Sequence, residues 1–253
     1  METSDLIINL TTSILILCIT GLFIFLWKKH TEKSLKCILF GGLAWAISVA
    51  VKAGIALFTN QHIFNFLESS LGNTLYIILG SVWLGILTGI TEIPIGYWFA
   101  KNRYYKTWEQ GIGFGLGFGV FEAGLIALSI IAIVSINTIT PGFLPTEIIN
   151  SFSETSLNSV FVPNIERIIA TIIHIATGML IVYSVATESL YIFFSAVFYK
   201  TFVDGVAGAF HLSKVLDKWN PWIIELLLLP FALVGIYIFI KLTKKWSKKL
   251  VSV

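Results

Sequence analysis

Apolar residues crowd into seven stretches of the chain, and polar or basic residues collect between them. A helix that crosses a bilayer needs about 20 mostly apolar residues. The stretches 6–27, 37–58, 72–100, 110–136, 165–186, 189–211 and 221–241 reach that length. The first stops at Lys28-Lys29-His30, the second follows Lys33 and Lys36, and the third ends at Lys101. Pro94 is expected to break the third, because proline removes a helical donor. A very short link joins the fifth and sixth. The predicted fold is all-α: a polytopic membrane protein with about seven transmembrane helices and a single membrane domain over 1–253. No domain boundary, convincing repeat or low-complexity tail interrupts it.

Basic residues orient the bundle, since Lys and Arg near span ends stay on the cytoplasmic side. With the N-terminus outside, the loops after spans one and three plus the tail carry twelve Lys and Arg. The outside segments then carry only Lys214 and Lys218. The expectation is an outside N-terminus, a cytoplasmic C-terminus and a multi-pass protein of the plasma membrane. Trp98, Trp108, Trp219, Trp222 and Trp246 fall near the predicted interfaces, as aromatic belts do.

Composition agrees. The chain is 56% hydrophobic and 12% charged, with mean hydropathy +0.86. A soluble domain carries roughly 25% charged residues, so lipid is the expected solvent. The net charge of +3 comes largely from short basic loops and implies no nucleic-acid partner. Two cysteines give no disulfide framework, and Cys18 in its apolar run reads as packing. The first run lacks a basic leader and a cleavage site, so it is expected to be a retained helix. Richness in Lys, Phe and Ile suggests a bacterial, AT-rich coding sequence.

The outside connection 137–164 holds Pro141, Gly142, Pro145 and Pro163 and no Lys or Arg. Connections of this length are often lids. The competing reading is an amphipathic surface helix from about Thr146 to Val160.

Ionisable residues inside spans are costly and usually face the bundle interior. Here they are Lys52, Glu92, Glu122, Glu166, Arg167, His174, Lys200 and Asp204. At 1.5 Å per residue, Glu122, His174, Lys200 and Asp204 lie at similar mid-bilayer depth. Lys200 and Asp204 are four apart and can pair on one helix face. Arg167 and His174, seven apart, share another. A buried polar centre built from spans four, five and six is expected, with Glu92 towards its cytoplasmic side. The bland alternative is a salt-bridge network that only holds helices together. Glu225 and His211 lie near span ends, within reach of the interface, and are set aside.

The run Gly111-Ile-Gly113-Phe-Gly115-Leu-Gly117-Phe-Gly119 has no preceding strand and no following Lys-Ser/Thr, so it is not read as a nucleotide loop. Gly111, Gly115 and Gly119 form one small-residue stripe, and Gly113 with Gly117 another. Such stripes let helix backbones approach closely. The helix carrying Glu122 is therefore expected to be clamped against its neighbours. The chain has no His-Glu-x-x-His helix, no Gly-x-Ser-x-Gly elbow and no zinc-spaced cysteines.

The order of these residues resembles a known family. An acidic residue late in span three precedes Gly-x-Gly-x-Gly-x-x-Glu-Ala in span four. Glu-Arg with a His eight residues after the Glu opens span five, and Asp-Gly lies in span six. This resembles the YhfC family of intramembrane metalloproteases, distantly similar to CAAX-processing and bacteriocin-processing membrane peptidases, over about residues 80–210. The resemblance implies catalytic roles for Glu122, Glu166, Arg167 and Glu92. It implies zinc as cofactor, on His174, Asp204 and Glu122. Lys200 and Lys52 would be further buried polar residues. Two positions depart from the pattern: Phe118 and Lys200 stand where the family has histidines. Thr91 stands where a first acidic residue is expected, and the nearby Arg is missing. An ammonium at Lys200 can neutralise carboxylates that a metal would otherwise neutralise.

Three functions remain open. One is an intramembrane peptidase with Glu122 as general base, His174 and Asp204 binding metal or orienting water, and Arg167 stabilising an oxyanion. The second is an inactive relative that binds a membrane peptide or partner protein, for instance as an immunity factor. The third is a proton- or cation-coupled transporter, disfavoured by the absence of a visible inverted repeat. The expected partners are the lipid bilayer and a membrane peptide or membrane-protein substrate.

Overall fold

The computed structural model describes residues 3–152, 157–213 and 220–251. These form eight helices: α1 (Thr3–Lys29), α2 (Lys36–Ser70), α3 (Asn73–Asn102), α4 (Trp108–Ile139), α5 (Thr146–Ser151), α6 (Leu157–Thr187), α7 (Leu190–Leu212) and α8 (Pro221–Val251). All but the short α5 are long and apolar enough to cross a membrane. The protein is an all-helical multi-pass membrane protein. Seven crossings put the two termini on opposite faces, here called the N-face and the C-face.

The helices outrun the apolar stretches that announce them. α2 continues to Ser70 through Asn60, Gln61 and His62, because polar side chains at an interface leave helical backbone bonds intact. Asn60 also finds a partner there, accepting a hydrogen bond from Trp83 Nε1 at 2.9 Å. Pro94 does not break α3, which runs unbroken around it. Prolines are tolerated in spanning helices where neighbours satisfy the freed backbone groups. Pro163 shows how: it has no N–H for the carbonyl four residues back, and the Thr12 hydroxyl shares its proton between that Ser159 oxygen, at 3.1 Å, and the Ile8 carbonyl, at 2.9 Å.

The surface helix expected from Thr146 to Val160 is not continuous. α5 ends at Ser151, and Leu157 to Val160 belong to the first turn of α6. Asn9 Nδ2 donates to the Phe152 carbonyl at 2.9 Å, which ties this connection to α1. Cys18 is exposed on the outer surface of the bundle, not packed, whereas Cys37 is buried. Trp98 and Trp222 are exposed as belt residues should be, but Trp246 is buried. Its Nε1 donates to the Lys106 carbonyl at 3.0 Å, closing the C-face. Trp219 lies outside the described residues.

α6 is the most enclosed helix and packs on α1, α3, α4, α7 and α8. Its tightest partner is α4, and the glycine stripes explain why. A Cβ at Gly115 would overlap the His174 carbonyl, and one at Gly119 would press on Thr171, both on α6. A Cβ at Gly117 would overlap the Ile38 carbonyl of α2, and one at Gly113 would press on Trp27 and Cys37. One stripe thus faces α6 and the other faces α2, with α4 held between. A second close pair joins α3 to α7, where Gly85 and Gly89 lie against Thr201 and Gly205.

Candidate functional site

Two glycine contacts position two glutamates. Gly119 precedes Glu122 by three residues and sets α4 against α6. Gly89 precedes Glu92 by three residues and sets α3 against α7. Residues three apart share a helix face, so each glutamate projects into the adjoining helix seam.

Glu122 meets the shared face of α6. Its Oε1 accepts from Arg167 Nη1 at 2.6 Å, and its Oε2 lies 2.9 Å from His174 Nε2. The other arm of the Arg167 guanidinium binds Glu166. Glu92 meets α7 and α2. Its Oε1 lies 3.3 Å from Lys52 Nζ, and its Oε2 lies 3.3 Å from Lys200 Nζ. Lys200 also reaches Asp204 Oδ2 at 3.0 Å, the pairing that their four-residue spacing predicts. All eight ionisable residues singled out from the sequence therefore fall into two linked charge groups. Buried pairs of this kind hold only when each charge keeps its partner, and removal of one partner costs about 3–5 kcal/mol.

A cavity of about 170 Å³ lies between the groups, and Glu122, Glu166, Arg167, His174, Lys200 and Asp204 supply its polar lining. It shares Glu166, Ala207 and Leu228 with a cavity of about 350 Å³ nearer the N-face, between α6, α7 and α8. Together they make a cleft from the N-face ends of α7 and α8 to the polar centre. Towards the C-face the cleft is closed where Tyr199 Oη of α7 donates to the Phe231 carbonyl of α8, at 2.9 Å. Glu92 is 2% exposed and lies behind this cleft. Lys52 is half-buried beside a third cavity of about 340 Å³ that shares Asp204 and Ala207 with the inner one.

Glu225 and His211, set aside from the sequence, both line the outer cavity. Glu225 is turned inward: it is 6% exposed, and its Oε2 has no hydrogen-bond partner among the described residues. The signal that finds it is direction. α6 and α8 run the same way across the bundle, and Glu166 and Glu225, each towards the N-terminal end of its helix, line the same cavity.

The donor set does not fit a catalytic zinc. Such a site needs three protein ligands around an open position. The Phe118 position, where the resemblance expects a histidine, is filled by a fully buried ring tilted on His174 with centroids 6.0 Å apart. Lys200 holds its ammonium between Glu92 and Asp204, where a cation would sit. Both Glu122 oxygens are engaged by Arg167 and His174. Among the described residues, no three His, Cys, Asp or Glu side chains converge as metal ligands would. Thr91 turns its hydroxyl back to the Leu87 carbonyl at 2.8 Å and offers nothing to the centre.

The model of one protein family, YhfC intramembrane metalloprotease, matches residues 13–228. No curated protein and no solved structure matches the chain.

Proposed function

Because the chain belongs to the YhfC intramembrane metalloprotease family, we propose that it keeps the cleft of a membrane peptidase and uses it, without a catalytic zinc, to bind a membrane peptide or the spanning segment of a partner protein. The observation that carries this reading is the position of Lys200. Its ammonium lies 3.3 Å from Glu92 and 3.0 Å from Asp204 and supplies the positive charge these carboxylates need. Arg167 does the same for Glu122 and Glu166. The centre is then a fixed polar floor beneath an opening between α7 and α8. A non-helical stretch of peptide in an apolar membrane needs a polar surface against it, and the inner cavity is lined by one.

The test is metal content with peptide capture. Purified chain in nanodiscs is expected to carry far less than one zinc per chain. A photo-reactive residue at Ala207, which lines both cavities, is expected to cross-link an added hydrophobic peptide of about 20 residues. Near-stoichiometric zinc lost on Glu122→Ala and His174→Ala would overturn the reading.

A second reading is hydrolysis of the bound peptide with Glu122 as base. The 2.9 Å contact of Glu122 with His174 inside the cavity favours it. It requires cleavage of the captured peptide, abolished by Glu122→Gln.

A further inference from the structure

We propose that the outer cavity is a subsite for an organic cation, the ammonium or guanidinium of a Lys or Arg side chain carried by the bound membrane peptide. This rests on the reading of the cleft as a peptide-binding site and adds which peptides it takes.

Five carboxylates (Glu92, Glu122, Glu166, Asp204 and Glu225) line or adjoin the cleft, against three cations (Lys52, Arg167 and Lys200). Four of the carboxylates have an ion-pair partner. Glu225 does not. It is 6% exposed and lines the cavity, and its Oε2 has no hydrogen-bond partner among the described residues. A buried carboxylate without a partner is expensive, and a ligand that supplies a cation removes that cost.

The walls select the kind of cation. The rest of the cavity is mainly apolar, with Val162, Phe210, Ile224 and Leu228 around Glu225. A small inorganic cation needs several oxygens, and here Glu166 already serves Arg167. An alkyl chain ending in one positive charge satisfies both parts: its methylenes lie on the apolar wall and its head meets Glu225. Depth agrees. Glu225 stands four residues into α8, about 6 Å from its N-face end at 1.5 Å per residue. Cationic residues at the end of a spanning peptide sit at that level.

The probes are two capped peptides of about 20 residues, identical except for one Lys or its uncharged isostere norleucine near one end. Binding is measured on the full chain in zwitterionic nanodiscs. The Lys peptide is expected to bind at least about tenfold more tightly, or about 1.4 kcal/mol. Glu225→Gln should erase that preference, and Glu225→Lys should transfer it to a peptide with Glu at the same position. Glu109→Gln, at the C-face, should leave it unchanged. Equal affinity for both peptides overturns the cation subsite and leaves the peptide cleft standing. A preference that survives Glu225→Gln, or a sodium dependence lost in that variant, also overturns it. Failure of both peptides to bind a chain of native helicity overturns the cleft and the subsite together.

Discussion

Lys200 Nζ on α7 lies 3.3 Å from Glu92 Oε2 on α3, and the two side chains are 5% and 2% exposed. The contact joins two helices whose backbones already touch through Gly85 and Gly89. A charge pair this deep is held because neither member can reach water on its own. Lys200→Met should therefore destabilise the chain by about 3–5 kcal/mol, read as a shift in denaturant unfolding in micelles. Adding Glu92→Gln should recover part of the loss. The Lys52 left behind is 29% exposed in its side chain and can turn outward. Native stability in Lys200→Met would show that Glu92 is satisfied without α7.

Restoring two histidines should restore a metal. Phe118 packs on His174, and Lys200 sits on Asp204, so Phe118→His with Lys200→His would add two nitrogens beside Glu122, His174 and Asp204. The double variant is expected to gain close to one zinc per chain by elemental analysis. Lys200→His alone is expected to gain much less, because the buried Phe118 ring still fills one position. A double variant that folds yet holds no more zinc than the native chain would count against Lys200 as the stand-in for a metal.

Much of this centre is legible in the sequence because helical spacing fixes which charges share a face. The four-residue step from Lys200 to Asp204 and the seven-residue step from Arg167 to His174 translate directly into contacts. What spacing cannot supply is the relation between helices. Lys52, Glu92 and Lys200 come from three elements, and only packing reveals that one carboxylate serves both lysines. Glu225 is misread for the same reason. Its distance from the span end suggests water, but α6 and α7 cover it. Pro94 and the polar stretch after Phe58 mislead in another way. Hydropathy registers the solvent around a helix, whereas helix continuity depends on backbone bonding.

The glycine stripes give a paired prediction. Gly115→Ala places a methyl against the His174 carbonyl and the backbone of Ile175, which cannot yield as a side-chain tip would. The cost should be at least the ~1–3 kcal/mol of overpacking, and the Glu122–His174 contact should loosen with it. Gly124→Ala, on the same helix with nothing within 4 Å, should be neutral or stabilising by up to ~1 kcal/mol. Equal effects of the two changes, compared by thermal unfolding, would mean that α4 and α6 are not in the close contact described.

The inner end of the cleft is held by a tyrosine. Tyr199 Oη donates to the Phe231 carbonyl at 2.9 Å, and a Cβ at Gly235 would come within 3.1 Å of that hydroxyl. Tyr199 thus fills the space that Gly235 leaves and ties α7 to α8 below the cavities. Tyr199→Phe keeps the ring and removes the tie, at about 0.5–1.5 kcal/mol for one hydrogen bond. Gly235→Leu takes the space from the ring and should part the helices further. Leu228 lines both cavities, so a cysteine there reports on the opening once Cys18 and Cys37 are replaced by serine. Maleimide should label Leu228→Cys faster with Tyr199→Phe, and faster again with Gly235→Leu. Unchanged labelling in both would place the hinge of the α7–α8 opening elsewhere, since the bond from Tyr199 to the Phe231 carbonyl, in the space that Gly235 leaves, is the link on which this closure depends.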